Sequence, residues 1–195
     1  MKRFLVLLVV VGILYAMSHN IGYSPQNATL QPIPQPTQPR FTHEPRVQAL
    51  LDELQVDGSQ IEIVSSDTTP CNPSAQVTLR ACTSSTPQTA KIYLTSNFWQ
   101  ADPFRQRSTI AHEYLHTVYT KGIRPNPTDL YAVYNSNARF RERMDVYKHL
   151  SEDYFLDELT AVICTEYSDS ALPFTLVEYC TTHLPNRNAL PSYFR

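Results

Sequence analysis

One segment of the sequence, residues 103–121, carries both a start and a stop signal for a helix of about five turns. Asp102 is a favourable N-cap residue, Pro103 suits the first helical position, and Gly122 follows the last turn as a stop signal. Between these signals, apolar residues recur at helical spacing and predict a stripe that packs on a core: Phe104, Ala111, Leu115 and Val118. The segment therefore predicts a long helix with one buried face, around which the rest of the domain packs.

The neighbouring stripe of the same helix contains chemically active side chains. His112 and His116 are four residues apart, and Glu113 directly follows the first of them. This spacing places both imidazoles one turn apart on one helix face, where they can bind the same metal ion. The pattern HExxH arises by chance in about one sequence in a hundred of this composition, so the helix signals around it add weight to the interpretation.

A catalytic zinc ion commonly takes three protein ligands, so the sequence has to supply a third one. A histidine six residues after His116 is excluded, because that position is Gly122, and the surroundings of Asp129 do not match a Gly-Thr-x-x-Asp pattern. Glu158 is the best candidate, because it occurs among apolar residues at helical spacing, where a carboxylate is costly unless it is paired or bound to metal. One alternative stays open: Glu158 pairs with Arg139, Arg141 or Lys148, and Glu152, Asp153 or Asp157 is the ligand instead.

These residues resemble the gluzincin group of zinc metallopeptidases, whose pattern is HExxH on one helix and ExxA on a later one. The resemblance covers two helices of this chain and includes His112, Glu113, His116, Glu158 and Ala161. It implies that one zinc ion per chain is bound by the two histidines and Glu158, with Glu113 as the general base. It also implies hydrolysis of peptide bonds in a peptide or protein substrate by metal-activated water.

Four residues outside the motif are candidates to stabilise the oxyanion of such a reaction: Tyr147, His149, Tyr154 and His183. A rival interpretation is a non-catalytic binding domain, tethered to a surface, that keeps a zincin scaffold. The intact Glu113 favours the enzyme, because a base next to the metal ligands serves proton transfer rather than binding.

The regions on either side of the motif helix predict an α+β domain with a compact zincin-like fold. The segment "PRVQALLDELQV" has apolar residues at helical spacing with Gly58 as a stop signal, and three β-like runs follow at 61–66, 76–80 and 91–95. We expect a small antiparallel or mixed sheet packed on the motif helix, with the last run as its edge strand along the substrate cleft. A second strong helix is predicted over 151–167, at the start of a C-terminal helical part.

The N-terminal region predicts export and a spacer. Two basic residues precede an apolar run at 4–17, which is shorter than the about 20 residues of a full membrane span and is typical of a signal peptide. Residues 1–23 are therefore interpreted as a signal peptide or an N-terminal membrane anchor, and either one places the domain outside the cytoplasm. The proline-rich residues 24–44 predict a disordered spacer, and 45–195 the metallopeptidase domain.

The four cysteines are even in number, follow an export signal and form no CxxC pair. These features favour disulfides over zinc ligation or redox chemistry. We expect the pairs Cys71–Cys82 and Cys164–Cys180, because each closes a short loop between neighbouring elements; four free buried thiols are the alternative.

The charge of the chain excludes one class of partner. With 16 basic and 18 acidic residues, the net charge of −2 provides no basic surface for nucleic acid or for anionic lipid. The expected partners are a peptide or protein substrate and, where the N-terminal segment stays uncleaved, the membrane.

Overall fold

The computed structural model of the protein describes residues 40–71 and 79–194. This part of the chain contains seven α-helices and three strands, so the predicted α+β class is confirmed. The helices are α1 (Pro45–Leu54), α2 (Ser96–Gln100), α3 (Pro103–Thr120), α4 (Pro127–Ser136), α5 (Ala138–Met144), α6 (Glu152–Glu166) and α7 (Phe174–His183). The strands are β1 (Ile61–Ser65), β2 (Ala81–Ser85) and β3 (Ala90–Leu94), and short 3₁₀ helices occur at Asp145–Tyr147, Asp169–Ala171 and Arg187–Ala189.

The predicted N-terminal regions fall largely outside these residues. The signal peptide or anchor at 1–23, and the spacer 24–44 up to its last five residues, lie outside the described part of the chain. The first described helix begins at Pro45, the residue at which we expect the domain to start. Within the part of the chain that the structure describes, no helix has the length and apolar character required to cross a membrane.

Helix α1 buries one face and ends earlier than its sequence signal indicates. The predicted stop at Gly58 is wrong, because Gln55 already leaves the helix with a left-handed φ of 56° and donates its N–H to the carbonyl of Asp52. Gly58 instead permits close packing, since a Cβ atom there would lie 2.5 Å from Cδ1 of Leu51. The residues predicted to face the core are buried: Val47, Leu50, Leu51 and Leu54.

Strand β3 occupies the centre of the described sheet. It pairs in parallel with β1, where Ile92 lies opposite Ile63, and antiparallel with β2, where Ile92 lies opposite Thr83. The predicted edge position of β3 is therefore wrong, and the edges of this sheet are β1 and β2. The sequence misleads here because Ala90, Ile92 and Leu94 are buried in alternation, a pattern that an edge strand with one buried face shows equally well.

Strand β2 starts later than predicted. The predicted run is 76–80, of which 76–78 lie outside the described residues, and β2 begins directly after it. The carbonyl groups of Leu79 and Arg80 accept hydrogen bonds from the Thr95 hydroxyl at 2.7 and 3.0 Å. This backbone is therefore tied to the residue that follows β3 and is not part of the strand ladder.

Helix α3 is the predicted motif helix, and it packs against β2 and α6. The Asp102 side chain accepts the N–H of Arg105 at 2.9 Å, and Gly122 follows the helix with φ 83°. The buried part of α3 begins at Gln106, so the first turn projects beyond the core. Phe104 is for this reason 42% exposed and its predicted burial is wrong, whereas the other three stripe residues are buried: Ala111, Leu115 and Val118.

Helix α6, confirmed close to its predicted bounds, is shared by two buried clusters. The first cluster packs the sheet, α1 and α3 together and contains Ala161 and Cys164 of α6. The second lies among the C-terminal helices and contains Leu159, Val162 and Ile163 of α6. The helix that carries the predicted third ligand therefore contacts both halves of the core.

Both predicted disulfides are present. Cys71–Cys82 ties the segment after β1 to β2, and Cys164–Cys180 ties α6 to α7. Their Cα–Cα distances of 6.2 and 5.1 Å lie within the ordinary range of disulfides. Two disulfides in one domain indicate an oxidising compartment outside the cytoplasm.

Candidate metal centre

Helices α3 and α6 bring three potential ligands together. His112 and His116 lie one turn apart on α3, with 3.1 Å between their Nε2 atoms. Glu158 on α6 faces both rings, with Oε2 at 3.6 Å from Nε2 of His112 and Oε1 at 3.7 Å from Nε2 of His116. One ligand atom from each residue lies within 4.8 Å of the others, so the group could hold a metal ion.

The donor set and its spacing fit zinc. Tetrahedral zinc with ligands at about 2.0–2.1 Å requires donor atoms about 3.3 Å apart. The two Nε2 atoms are 3.1 Å apart, and each lies near a different oxygen of Glu158, at 3.6 Å for His112 and Oε2 and at 3.7 Å for His116 and Oε1. Two imidazoles and one carboxylate are borderline ligands that zinc accepts, whereas calcium and magnesium prefer a shell of oxygen atoms. Three protein donors also leave the fourth zinc position open, as in catalytic sites.

Asp157 fixes the orientation of one ligand. Its Oδ1 lies 2.8 Å from Nδ1 of His116, so the ring donates Nδ1–H to the carboxylate and turns Nε2 toward the cluster. Burial lowers the pKa of His116, but the hydrogen bond to Asp157 and the charges of Glu113, Asp157 and Glu158 outweigh it and raise the pKa to about 9. Burial raises the pKa of Glu158, yet its contact with His112 and the nearby His116 lower it to about 2. The cluster therefore holds an ionised carboxylate in a buried position.

Glu113 lies beside the cluster without joining it. Only 8% of the residue is exposed. Thr83 on β2 donates its hydroxyl to Oε2 of Glu113 at 2.7 Å, which fixes the carboxylate on the side of α3 that faces the sheet. A second contact between the two elements joins Ser85 and Thr120 at 2.8 Å. The candidate base is thus held by a neighbouring strand, while the potential ligand His116 is held by Asp157 of a neighbouring helix.

A cavity of about 630 Å³ opens next to these residues. His112, Glu113 and Tyr147 line it, so a metal ligand, the candidate base and a phenol face the same space. Burial and the charge of Glu158 raise the pKa of Tyr147, which keeps its hydroxyl protonated and able to donate a hydrogen bond.

The other candidates for oxyanion stabilisation differ in position. Tyr154 is next to Glu158, whose charge, together with burial, raises the pKa of the phenol. His149 and His183 do not line the cavity within the described residues; His149 is exposed, and His183 packs against the ring of Tyr179.

The alternative carboxylates of α6 have other partners. Glu152 accepts a hydrogen bond from Tyr131, and Asp153 pairs with Arg124 at 2.6 Å. Asp157 contacts the far nitrogen of His116 rather than the cluster side. Within the described residues, Glu158 forms no salt bridge with the cations considered as its alternative partners, Arg139, Arg141 and Lys148.

Two functional contacts escape sequence analysis. Thr83 is 30 residues from Glu113 in the chain, and a threonine in a short strand gives no signal of what it will contact. Asp157 appears among the ligand alternatives, but only the rotation of α6 reveals that it supports His116. The sequence signal for this contact is that Asp157 directly precedes Glu158. Adjacent helix residues point about 100° apart, so the two carboxylates face different atoms.

The site combines a three-donor cluster, a second buried carboxylate beside it, Glu113, and an adjoining cavity. Comparison with known proteins finds no matching family model, no matching curated protein and no matching solved structure. What the site can do is therefore inferred from the geometry of its own residues.

Proposed function

We propose that this protein is a zinc-dependent peptidase of the gluzincin type, with a zincin-like fold. The observation that carries the proposal is the placement of Glu113: a buried carboxylate, held by Thr83, beside three donors spaced for zinc. The protein acts outside the cytoplasm, secreted or anchored to the membrane by its N-terminal segment, as the two disulfides and the sequence of 1–23 suggest.

In this proposal His112, His116 and Glu158 hold the ion. A bound zinc ion supplies Lewis-acid activation of water and of the scissile carbonyl. Glu113 accepts the proton of the attacking water at its carboxylate and delivers it to the leaving amine. Asp157 keeps His116 in the tautomer that presents Nε2.

Tyr147 is the best-placed group to stabilise the oxyanion. It lines the same cavity as His112 and Glu113, and its raised pKa keeps the proton that such a hydrogen bond requires. Tyr154 is the second candidate, because its phenol lies next to Glu158.

The test separates the base from the ligands. Glu113→Gln is expected to retain about one zinc per chain and to lose hydrolysis of an unstructured protein substrate by at least about 100-fold, because a general base contributes about 10²–10⁴-fold. Glu158→Ala is expected to lose both zinc and hydrolysis, because two imidazoles alone bind the ion weakly. Zinc is counted by metal analysis on the samples used for the assay.

Glu152→Ala serves as the matched control, because its carboxylate lies on the same helix and contacts Tyr131 instead of the cluster. It should keep zinc and activity. Full zinc in Glu158→Ala would contradict the ligand assignment. Zinc binding by the wild-type protein without hydrolysis of unstructured protein would favour the binding domain over the peptidase.

A further inference from the structure

The cavity beside the metal centre has an unusual charge for this chain. Three arginines line it, Arg80, Arg105 and Arg143, against two carboxylates, Glu113 and Glu166. The whole protein carries a net charge of −2, so a cavity with more cations than anions departs from the average surface.

Both carboxylates are engaged. Glu166 pairs with Arg143 through two parallel contacts, and the Nη2–Oε1 distance is 2.7 Å. Glu113 is held by the Thr83 hydroxyl and serves as the base in the proposed reaction. Within the described residues, neither carboxylate forms a salt bridge with Arg80 or Arg105.

Among the described residues, these two arginines have no strong ion pair. Arg105 has Asp102 3.3 Å from its Nε, but both side chains are more than half exposed, at 62% and 53%, and an exposed pair of this kind is weak. Arg80 is exposed and forms no salt bridge with any described residue. Two guanidinium groups in one cavity provide forked donors that match a carboxylate.

The backbone of both residues is fixed. The carbonyl of Arg80 accepts hydrogen bonds from the backbone N–H of Thr95 at 2.9 Å and from its hydroxyl at 3.0 Å. Arg105 lies in the first turn of α3, whose N-cap accepts its N–H. Arg105 precedes His112 by seven residues on this helix, which corresponds to about 10 Å along the axis. An extended peptide covers that distance in about three residues.

We propose that this cavity recognises an acidic side chain of the peptide substrate, about three residues from the scissile bond, through Arg80 and Arg105. The inference rests on the proposed function for the position of the scissile bond. The recognition itself depends only on the two arginines and the cavity, so it is testable without hydrolysis.

The first experiment uses binding. The Glu113→Gln variant with zinc is titrated with a series of fluorescent peptides, each of which carries one Glu at a different position. Each peptide is compared with a control peptide in which Gln replaces that Glu. At one position we expect the Glu peptide to bind about 10-fold or more tightly than its Gln control, since a hydrogen bond to a charged group contributes free energy of this order. Arg80→Ala and Arg105→Ala, introduced together, should reduce the ratio to about twofold or less. Equal binding of the Glu peptide and its Gln control at every position would overturn the inference.

The second experiment uses the wild-type protein. Cleavage sites in an unstructured protein should be enriched in Asp or Glu at one fixed distance from the scissile bond. The peptide with Glu at that position should be cleaved with a higher kcat/KM than its Gln control. Arg46→Ala is the matched control, because this exposed arginine on α1 packs near Trp99 and does not line the cavity. Arg46→Ala should leave the ratio of kcat/KM for the Glu peptide to that for the Gln control unchanged. If this ratio falls as much as in the Arg80 and Arg105 double variant, the role of Arg80 and Arg105 is overturned.

The two arms separate the two proposals. Hydrolysis without acidic preference would leave the peptidase and remove the acidic subsite. A Glu preference in binding, lost with Arg80 and Arg105, together with no hydrolysis by the wild-type protein, would support the subsite and remove the peptidase.

Discussion

At the scale of single residues, neighbouring positions in one helix perform different tasks. His112 and Glu113 are adjacent in α3, yet Nε2 of the histidine faces the ligand cluster while the carboxylate faces β2. Asp157 and Glu158 are adjacent in α6, and the first contacts Nδ1 of His116 while the second faces Nε2. Because successive helix residues point about 100° apart, one turn of each helix provides a ligand together with a second functional group.

The Thr83 hydroxyl holds Glu113, the proposed base. Thr83→Val keeps the shape of the side chain and removes the hydroxyl, which contacts the Glu113 carboxylate at 2.7 Å and the Glu113 backbone carbonyl at 3.1 Å. We expect kcat for peptide hydrolysis to fall by about 10-fold, since a hydrogen bond to a charged group contributes about 1.5–3 kcal/mol and part of this positions the carboxylate. Zinc content should stay unchanged, because Thr83 contacts no ligand. Both quantities are measured on the same preparation.

Two variants control this prediction. Thr83→Ser retains the hydroxyl and should recover most of the wild-type kcat. Ser85→Ala removes the side-chain hydrogen bond that β2 makes with Thr120 of α3 and leaves Glu113 untouched. If Ser85→Ala lowers kcat as much as Thr83→Val does, the effect comes from the packing of β2 and not from the base.

Tyr167 offers a test of a buried hydroxyl. Its phenol oxygen has no hydrogen-bond partner among the described residues, while its ring stacks on Phe194. We expect Tyr167→Phe to raise the free energy of unfolding at pH 7 by up to about 1 kcal/mol, because an unsatisfied buried group is removed and the ring is kept. Urea unfolding measures the change, and a loss of stability at pH 7 would mean that the hydroxyl has a favourable partner.

The same residue predicts a pH dependence. Burial, with a smaller effect of the Glu166 charge, raises the pKa of Tyr167 from 10.0 to about 12 in the folded protein. A raised pKa gives a contribution to stability that is fully present below pH 10 and is lost as the pH rises from 10 to 12. Tyr167→Phe should therefore lose less stability than the wild type between these pH values, as measured by urea unfolding at each pH.

At the scale of elements, Arg187 anchors the C-terminal end of α6. The side chain is buried, and it donates from Nε to the carbonyl of Cys164 at 3.1 Å and from Nη2 to the carbonyl of Tyr167. It also pairs with Asp169. These contacts satisfy carbonyl groups that the end of a helix leaves without intrahelical partners.

We expect Arg187→Ala to lower the free energy of unfolding by about 3 kcal/mol, because it leaves these buried acceptors unpaired. Arg187→Lys should lose less, since an ammonium group reaches fewer of the acceptors. Urea unfolding measures both variants. Arg139→Ala, at an exposed position on α5, should change stability by less than about 0.5 kcal/mol. A loss as small as this in Arg187→Ala would show that Arg187 is not an anchor of α6.

Helices of this protein are predictable from sequence where capping and periodicity agree, and the sheet is less so. Asp102 and Gly122 bound α3 because each acts through its own backbone position. The order of the strands depends on contacts that are distant in sequence, and no pattern within 91–95 tells a central strand from an edge. The site also contains one predictable part and one that is not. The HExxH pattern is recognisable within five residues of sequence, whereas the contact of Thr83 with Glu113 forms only when β2 packs on α3.

At the scale of the whole molecule, the candidate metal centre joins two parts of the core. Two of the potential ligands come from α3, which packs on the sheet through β2, and the third comes from α6, which also belongs to the cluster of C-terminal helices. In the apo protein these helices are held by packing and by the contacts of His116 with two carboxylates. An ion bound by both helices stabilises the folded state as a whole, because the unfolded chain has no such site.

Zinc is therefore expected to raise the melting temperature of the protein. A free zinc concentration of about 100 times the Kd stabilises the folded state by about 2.7 kcal/mol, which corresponds to a shift of about 5–11 °C for a protein of this size. Thermal unfolding is followed by circular dichroism with chelator and with buffered zinc, with both disulfides intact. Glu113→Gln should show the full shift because Glu113 is not a ligand, and His112→Ala should show almost none. If zinc does not change the melting temperature of the wild-type protein, the metal centre is ruled out. If the Glu113→Gln variant lacks the shift, Glu113 is a ligand and not the base.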